Sequence, residues 1–315
     1  PITLLNCDFK LCCRVISDRM QTPLEHLIDP AQTAFVKGRW IGDNVLLQQG
    51  LAEYLDSSQQ PGVMLLLDIA KAYDRADRGW IYRCAEAMRL PVGLLTWLHR
   101  LTDGTRSRVC INGWVTDAFA VDNGVPQGSP LSPVLWVLQL QPLTAALRRA
   151  QRAGRLRAPL LPNGLQASPA VHHADDTKLL LSSLTEDGPV ATEVMQRFCA
   201  VSNALSNLAK AKGVCMGTHA RVVGVDAVTG ADFGQPTDPP HKTLGVHVTT
   251  DVGVAAQLAF DRRRVALQRT TVRWQGVPLS ALGRSLNAKQ VFANTIAYHA
   301  TFLPPSPPTV RAITK

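Results

Sequence analysis

Two short apolar segments that each lead to aspartate constrain the fold of this chain most strongly. Residues 63–67 form a continuous apolar run, too short for a typical helix, and Asp68 follows directly. Such a run predicts a strand that is buried on both faces. Residues 170–182 have the pattern of a hairpin, with the pair Asp175-Asp176 at or beside its turn. The sequence therefore predicts carboxylates at the ends of strands.

Carboxylates in such positions suit metal-assisted phosphoryl transfer. Acidic side chains at the tips of adjacent strands can hold two Mg²⁺ ions about 3.5–4 Å apart, and this pair supports in-line displacement at phosphorus. Two adjacent ionised carboxylates repel each other, and a bound cation compensates for that repulsion. Two other interpretations stay open at this level: Asp68 is also a favourable helix N-cap, and Asp-Asp pairs are common in turns.

A third segment, Gly124-Val125-Pro126-Gln127-Gly128-Ser129-Pro130-Leu131-Ser132-Pro133, lies between the two aspartate sites. Glycine allows the backbone to approach a ligand closely, and a helix N-terminus attracts phosphate. Either Ser129 or Ser132 can cap the following helix, since proline comes next in both cases. We expect this helix to reach about Arg155, with a kink at Pro142.

The remaining pattern predicts a mixture of helices and short strands. We expect an α+β fold, with a sheet in the middle of the chain and helical segments before and after it. The predicted elements are helices over 44–55, 77–102 with a break at Pro91, 190–209 and from 251 onward, a hairpin over 108–121 with Asn112-Gly113 at its turn, and strands at 214–216, 222–225 and 244–248.

Composition excludes several classes of protein. Of the 315 residues, 46% are hydrophobic, too many for a disordered chain. The sequence contains neither an uninterrupted apolar stretch of about 20 residues nor a signal peptide, so we expect no membrane partner and an intracellular location, nuclear and cytoplasmic, without secretion. The seven cysteines form no CxxC pair, which argues against zinc and for reduced thiols. The net charge of +9 suits a nucleic-acid partner.

The order of the three motifs resembles the palm of reverse transcriptases, and most closely that of the non-LTR, LINE-like retrotransposons. Two segments nearer the N-terminus also resemble motifs of that family. They are Pro1-Ile2-Thr3-Leu4-Leu5-Asn6 and Gln32-Thr33-Ala34-Phe35-Val36-Lys37-Gly38-Arg39-Trp40-Ile41-Gly42-Asp43-Asn44. The resemblance continues past Leu244-Gly245-Val246 and so covers nearly the whole chain.

This resemblance implies a right-hand polymerase of fingers, palm and thumb, with an antiparallel palm sheet covered by helices. Residues 1–60 would be part of the fingers, 61–250 the palm with the remaining fingers elements, and 251–315 the start of the thumb or connection. Asp68, Asp175 and Asp176 would be catalytic. The same three residues and the carbonyl of Ile69 would bind two Mg²⁺ ions, for which Mn²⁺ could substitute.

The resemblance also assigns nucleotide contacts. Ile69 lies at the nucleotide site, and Tyr73 would pack under the sugar of the incoming nucleotide and disfavour a 2′-hydroxyl. Gln127 and Gly128 would contact the nucleotide and the templating pair, and Lys210 would lie near the triphosphate. The chain departs from the family at His173, where Tyr or Phe is usual, and at Ala211, where Ser is usual. A pair of imidazoles at His172-His173 could also suggest a transition-metal site, but successive strand side chains point to opposite faces.

The expected function is RNA-directed DNA synthesis in retrotransposition. The partners would be an RNA template, a DNA primer, the RNA–DNA hybrid and deoxynucleoside triphosphates. A maturase-like RNA-binding role and a decayed, inactive element copy are the alternatives. The family's opening motif starts with an arginine that would precede Pro1, so we expect this chain by itself to be a weak polymerase. Arginine clusters at 148, 152 and 155 and at 262–264, 269 and 273 are candidate contacts to the phosphate backbone.

Overall fold

The computed structural model of the chain describes residues 3–207, 210–219, 221–235, 238, 240–249 and 251–314. Pro1 and Ile2 of the opening motif, and Leu208 and Ala209 before Lys210, lie outside the described residues. The helices are α1 (Cys7–Leu27), α2 (Ile41–Ser57), α3 (Ala72–Arg75), α4 (Arg78–Ala87), α5 (Val92–Thr102), α6 (Ser132–Arg152), α7 (Leu184–Ser202), α8 (Val252–Gln275), α9 (Ala281–Asn287), α10 (Asn294–Phe302) and α11 (Pro307–Thr314), with a π-helical segment at Ala288–Ala293. The strands are β1 (Pro61–Leu67), β2 (Arg106–Ser107), β3 (Cys110–Ile111), β4 (Trp114–Val115), β5 (Phe119–Ala120), β6 (Ala170–His173), β7 (Asp176–Leu181), β8 (Lys212–Gly217), β9 (Lys242–Thr243) and β10 (Val246–His247).

The centre of the fold is a four-stranded antiparallel sheet in the order β6-β7-β1-β8. Strand β1 lies between β7 and β8, and its apolar residues are buried on both faces, as its uninterrupted apolar run predicts. Its register pairs Val63 with Leu181 and Leu67 with Thr177. The strand ends that carry the aspartates therefore meet at one edge of the sheet.

One helix crosses the core beside this sheet. Helix α6 is buried along most of its length, and Trp136 at its centre is completely inaccessible to solvent. It packs against α4 and α7, and its residues join the same apolar cluster as β1 and α1. The predicted α+β fold, with a sheet covered by helices, is confirmed.

Several predicted boundaries are confirmed or need small changes. The helical region 77–102 is interrupted at Pro91 as predicted, and Asn112-Gly113 forms the β3–β4 turn with positive φ at both residues. Helix α6 starts at Ser132, the second of the two predicted positions, and ends at Arg152, before the predicted limit. Helix α7 starts earlier than residue 190 because the hydroxyl of Ser183 accepts a hydrogen bond from the backbone N–H of Glu186 and caps it. It also ends earlier than the predicted residue 209, at Ser202, because Asn203 has a positive φ of 55°.

Two predicted strands are wrong in detail. Residues 222–225 make only a single bridge, between Val225 and Asp232, because Gly224 has a φ of +73° and turns the chain. In the region 244–248, Leu244 and Gly245 both have positive φ and form a turn, so only β10 remains extended. Both runs are apolar, and periodicity alone could not show where the backbone turns.

Two of the C-terminal helices, α8 and α10, pack against α2. Ala255, Ala259 and Phe260 of α8 form an apolar cluster with Val45 of α2 and Phe302 of α10. Helix α8 begins at Val252, where the carboxylate of the preceding residue, Asp251, accepts a hydrogen bond from the backbone N–H of Val254. The predicted helical character from residue 251 onward is confirmed.

Candidate active site

Asp68 lies immediately after β1, where its backbone is fixed by a segment near β8. Its carbonyl accepts a hydrogen bond from Asn207 N at 2.8 Å, and the side-chain amide of Asn207 donates to Asp68 Oδ2 at 3.1 Å. The ammonium of Lys210 lies 3.6 Å from the same oxygen. The N-cap of the next helix, α3, is Lys71. The alternative interpretation of Asp68 as a helix cap is therefore wrong, and its carboxylate is held at the sheet edge by an amide and a cation.

The hairpin β6–β7 brings the second pair of carboxylates to the same edge. His173 pairs with Asp176 at the end of the ladder, so Ala174 and Asp175 form the loop. Strand β7 neighbours β1, and extending their register by one residue beyond the Leu67–Thr177 pair places Asp68 opposite Asp176. The predicted hairpin is confirmed, and so is the placement of its aspartates at the turn.

The carboxyl group of Asp176 lies within electrostatic range of both Asp175 and Asp68. Desolvation raises the pKa of Asp176, and the negative charge of Asp175 and, more weakly, that of Asp68 raises it further against the opposing charge of Lys178. A divalent cation would relieve this repulsion. The donor set of carboxylate oxygens also suits Mg²⁺. The residues present therefore fit a magnesium site.

Substrate phosphates would be needed to complete the coordination of Mg²⁺ at this site. Among the described residues, no group of three or more His, Cys, Asp or Glu side chains is arranged to hold a metal ion. Magnesium in phosphoryl-transfer sites is usually bound by one or two carboxylates together with substrate phosphates. The metal-ligand assignment of Asp68, Asp175 and Asp176 thus stays a prediction.

The hydrogen bonds around Ile69 indicate the side to which its carbonyl points, and the role of that carbonyl as a metal ligand stays a prediction. Residues 68 and 70 are hydrogen bonded to residues 207 and 205, and Ile69 forms an antiparallel bridge with Ser206. In such a ladder the residue between two bonded ones points its own N–H and C=O to the opposite side. For Ile69 that side faces β7, which leads from Asp175 and Asp176.

Tyr73 is both part of the core and next to the carboxylates. It is half-buried on the short helix α3, and its ring stacks on that of Trp136 with 6.0 Å between centroids. Desolvation, reinforced by the negative charge of Asp175, raises the pKa of Tyr73 to about 12. The neutral phenol therefore lies within electrostatic range of Asp175. Tyr73 packs in the core, and its contact with the sugar of a nucleotide stays a prediction.

Gln127 and Gly128 lie in a loop between the N-terminal segment and α3. The amide of Gln127 donates to Asp74 Oδ1 at 3.1 Å, and its carbonyl accepts from Thr3 N at 3.2 Å. Gly128 has a φ of +114°, and a Cβ atom there would lie 3.1 Å from Thr3 O, so glycine is needed. The loop borders a cavity of about 460 Å³ that Asp74 and Arg106 also line.

The sequence pattern did not single out a buried lysine beside the site. Lys178 on β7 is almost fully buried, and its Nζ donates to Asn44 Oδ1 on α2 at 2.5 Å. Burial lowers the pKa of Lys178 to about 7, although the charge of Asp176 opposes this effect. The sequence did contain a signal for Lys178, since it is a lysine inside an apolar strand. It also lies two residues after Asp176 and hence on the same face of the strand.

The candidate arginine contacts divide into two groups. Arg148 makes an ion pair with Asp29, and Arg155, which lies beyond the end of α6, pairs with Glu193. Both guanidinium groups have partners within the protein, and contact of Arg148, Arg152 and Arg155 with a phosphate backbone stays a prediction. On α8, exposed arginines lie along the helix at 262, 264, 269 and 273.

The sequence profile described as "Reverse transcriptase (RNA-dependent DNA polymerase)" matches residues 1–279. The chain belongs to the reverse transcriptase family. Several relatives of this reverse transcriptase come from transposable elements, which confirms the resemblance to LINE-like proteins. It is 29% identical over 310 residues to "Transposon TX1 uncharacterized 149 kDa protein" of Xenopus laevis, covering 97% of this chain and 23% of that protein. It is 27% identical over 119 residues, 38% of this chain and 11% of the relative, to "Retrovirus-related Pol polyprotein from type-2 retrotransposable element R2DM" of Drosophila melanogaster.

The chain spans less than a quarter of the length of these two relatives. Its fold is similar to solved telomerase structures. The telomerase of Candida albicans in complex with a TWJ fragment of telomeric RNA gives a TM-score of 0.54 at 11% identity, over 96% of this chain and 55% of that one. Apo telomerase from Candida tropicalis gives 0.54 at 13% identity, over 96% and 48%. This likeness concerns the fold, and it confirms the right-hand polymerase architecture. None of the described helices is long and apolar enough to cross a membrane.

Proposed function

We propose that this chain carries out RNA-directed DNA synthesis, in which a primer 3′-hydroxyl attacks the α-phosphate of a deoxynucleoside triphosphate and pyrophosphate leaves. The observation that carries the proposal is the meeting of Asp68 and the Asp175-Asp176 turn at one sheet edge. Their mutual electrostatic coupling, together with the family to which the chain belongs, supports a metal-dependent nucleotidyl transfer.

Asp68, Asp175, Asp176 and the carbonyl of Ile69 would hold the metal ions, either Mg²⁺ or Mn²⁺. When bound, two such ions would lower the pKa of the attacking hydroxyl and offset charge on the leaving group. Asn207 supports Asp68 by donating to its carboxylate. This support fixes the orientation of the ligand before substrate binds, so less reorganisation is required in the reaction.

The nucleotide would lie between Tyr73 and the Gln127–Gly128 loop. Because the phenol of Tyr73 stays neutral and is stacked on Trp136, it offers a rigid apolar face to the sugar. Gly128 lets the backbone approach the base pair closely. Lys210 lies near Asp68 and is mostly exposed, so its ammonium is free to turn from the carboxylate to a triphosphate.

The macromolecular partners would be an RNA template and a DNA primer. Exposed arginines on α8 supply charge for contact with the phosphate backbone of the hybrid. An RNA–DNA hybrid is recognised mainly by shape and backbone, so little sequence dependence is expected in this binding. We therefore also propose an intracellular location, nuclear and cytoplasmic, where such templates and primers occur.

The test is primer extension on a poly(A) template with an oligo(dT) primer and Mg²⁺. Asp68→Asn and Asp175→Asn should each lower extension by more than about a hundredfold, because each removes a charged metal ligand without changing side-chain volume. Asp56→Asn, at an exposed aspartate on α2, is the matched control and should extend normally.

Near-normal extension by either active-site variant would disprove the assignment. Binding of the hybrid with no extension by the wild-type chain would favour the RNA-binding or inactive alternatives instead.

A further inference from the structure

The loop that carries Asp175 contains a residue in an unfavourable conformation. Ala174 has a φ of +57°, in the left-handed region that residues other than glycine rarely adopt. It lies between the last pair of the β6–β7 ladder, His173 and Asp176. The neighbouring Asp175 depends on this backbone conformation for the direction of its side chain. Contacts from outside the hairpin are therefore needed to hold the loop.

A single buried side chain supplies such contacts. Gln32 is 3% exposed. Its Oε1 accepts a hydrogen bond from Ala174 N at 3.1 Å, and its Nε2 donates to Ala174 O at 3.4 Å. The same oxygen accepts from Ala34 N at 2.9 Å. One carboxamide thus binds both backbone groups of the residue with positive φ.

The chemistry of this contact requires an amide. Two backbone N–H groups point at Oε1 and a carbonyl points at Nε2, so the orientation of the carboxamide is fixed. A carboxylate at this position would place an oxygen against the carbonyl of Ala174. An apolar side chain would leave the N–H and the carbonyl of Ala174 without these partners. Glutamine is therefore suited to this position by both its shape and its donor-acceptor pair.

Gln32 itself is held on a rigid platform. Its backbone forms a parallel bridge with His172, supported by Thr33 N donating to His172 O at 2.9 Å and His172 N donating to Ala31 O at 2.8 Å. Its carbonyl accepts from Arg39 Nη1 at 2.7 Å. The segment therefore extends the sheet beside β6, and the carboxamide has little freedom to move relative to the hairpin.

We propose that Gln32 is a positioning residue for Asp175: it holds Ala174 in its left-handed conformation and so fixes the direction of the carboxylate. This inference rests on the proposed function, in which Asp175 binds metal. It adds a residue from the N-terminal part of the chain, outside the three aspartate and glycine motifs, to the determinants of catalytic geometry.

The first test compares Gln32→Met with the wild-type chain. Methionine keeps the length of the side chain and removes both hydrogen bonds to Ala174. We expect kcat for primer extension to fall by about tenfold or more, while KM for the nucleotide changes less than about twofold, because the loss is one of alignment. Hydrogen–deuterium exchange of the peptide spanning 172–177 should become faster, since the amide of Ala174 loses its acceptor.

A matched control is available in the same region. Gln21 on α1 binds a neighbouring loop in the same way: Nε2 donates to Phe35 O at 3.3 Å and Oε1 accepts from Lys37 N at 2.9 Å. Phe35 also has a positive φ, of +60°. Gln21→Met should leave both kcat and the exchange of the 172–177 peptide unchanged, because this loop does not carry Asp175.

A rescue variant separates positioning from a general loss of structure. Glycine adopts positive φ without steric strain. The double variant Gln32→Met with Ala174→Gly should therefore have a kcat at least about threefold higher than that of Gln32→Met alone. Failure of this rescue would assign the defect to residues 31–34 as a whole and overturn the role in holding Ala174.

The outcomes also distinguish this inference from the proposed function. A folded Gln32→Met protein with wild-type kcat, or with unchanged exchange at 172–177, would overturn the positioning role alone. A wild-type chain that cannot extend a primer would overturn the proposed function instead.

Discussion

The environment of His172 should make the free energy of unfolding depend on pH. Replacing this histidine should remove that contribution. The imidazole is completely buried, with Thr144 Oγ1 3.0 Å from Nε2 and Thr177 Oγ1 3.0 Å from Nδ1. The hydroxyl of Thr177 donates to Asp175 O at 3.4 Å, so its lone pair is free to accept from Nδ1–H. The hydroxyl of Thr144 then donates to Nε2. Both nitrogens of the neutral ring are therefore satisfied, whereas a charged imidazolium in this buried position would lose its hydration.

Burial lowers the pKa of His172 from 6.5 to about 4 against the opposing charge of Asp29, and the nearby charge of Lys178 acts in the same direction as burial. Because the unfolded state binds this proton more readily than the folded state, folding stability rises with pH between about 4 and 6.5. The contribution is fully present at pH 7 and is lost as the pH falls. At pH 5, about 1.5 pH units below the unfolded value, the loss is about 2 kcal/mol.

The substitution His172→Gln keeps a donor and an acceptor but removes the titration. Urea unfolding of both proteins at pH 7 and pH 5, followed by tryptophan fluorescence, gives four free energies of unfolding. The wild-type protein should lose about 2 kcal/mol more than the variant between the two pH values, since every other titrating group is common to both. Equal losses in the two proteins would refute the reasoning, because His172 would then titrate alike in the folded and unfolded states.

Two further predictions concern one glycine and one aromatic residue. Gly217 has a φ of +56°, and a Cβ atom added there would lie 1.9 Å from a backbone oxygen. Gly104 also has a positive φ, of +64°, but a Cβ atom added there would face open space. Gly104→Ala should therefore lower the free energy of unfolding by about 1 kcal/mol, and Gly217→Ala should lower it by about 3 kcal/mol or more. Similar urea unfolding midpoints for the two variants would contradict the steric argument. Tyr73→Val should raise the ratio of ribonucleotide to deoxynucleotide incorporation by about tenfold, the usual range for one lost steric contact; an unchanged ratio in a primer-extension assay would leave Tyr73 with only its packing role against the core.

Charge patterns in the sequence were less informative than apolar patterns. Arg148 and Arg155 have a spacing that suggests one basic face, but Asp29 and Glu193 are distant in sequence and pair with them in the fold. Burial alone would raise the pKa of Asp29, yet its hydrogen bonds and ion pair with Arg148 hold that pKa below its usual range. A long-range partner of this kind leaves no local trace in the sequence.

The apolar runs, by contrast, determined much of the fold directly. A continuous apolar run such as 63–67 favours a strand covered on both faces, so the burial of β1 could be predicted from residue type, whereas its place between β7 and β8 could not. Asn112-Gly113 specified its own turn, because few other residue pairs accept two positive φ values. The placement of Asp68 and Asp175-Asp176 at strand ends could be predicted for the same local reasons.

The way in which these strand ends are held depends on contacts between distant parts of the chain. The antiparallel register of β1 and β7 places Asp68 opposite Asp176, and nothing in either segment alone encodes that alignment. The carboxamide of Gln32 reaches Ala174 across 142 positions of sequence, and Lys178 reaches Asn44 across 134. Local sequence selects helix, strand and turn because those depend on neighbours three or four residues apart. Hydrogen bonds between distant residues form only after the core has packed, and they give the candidate site its geometry.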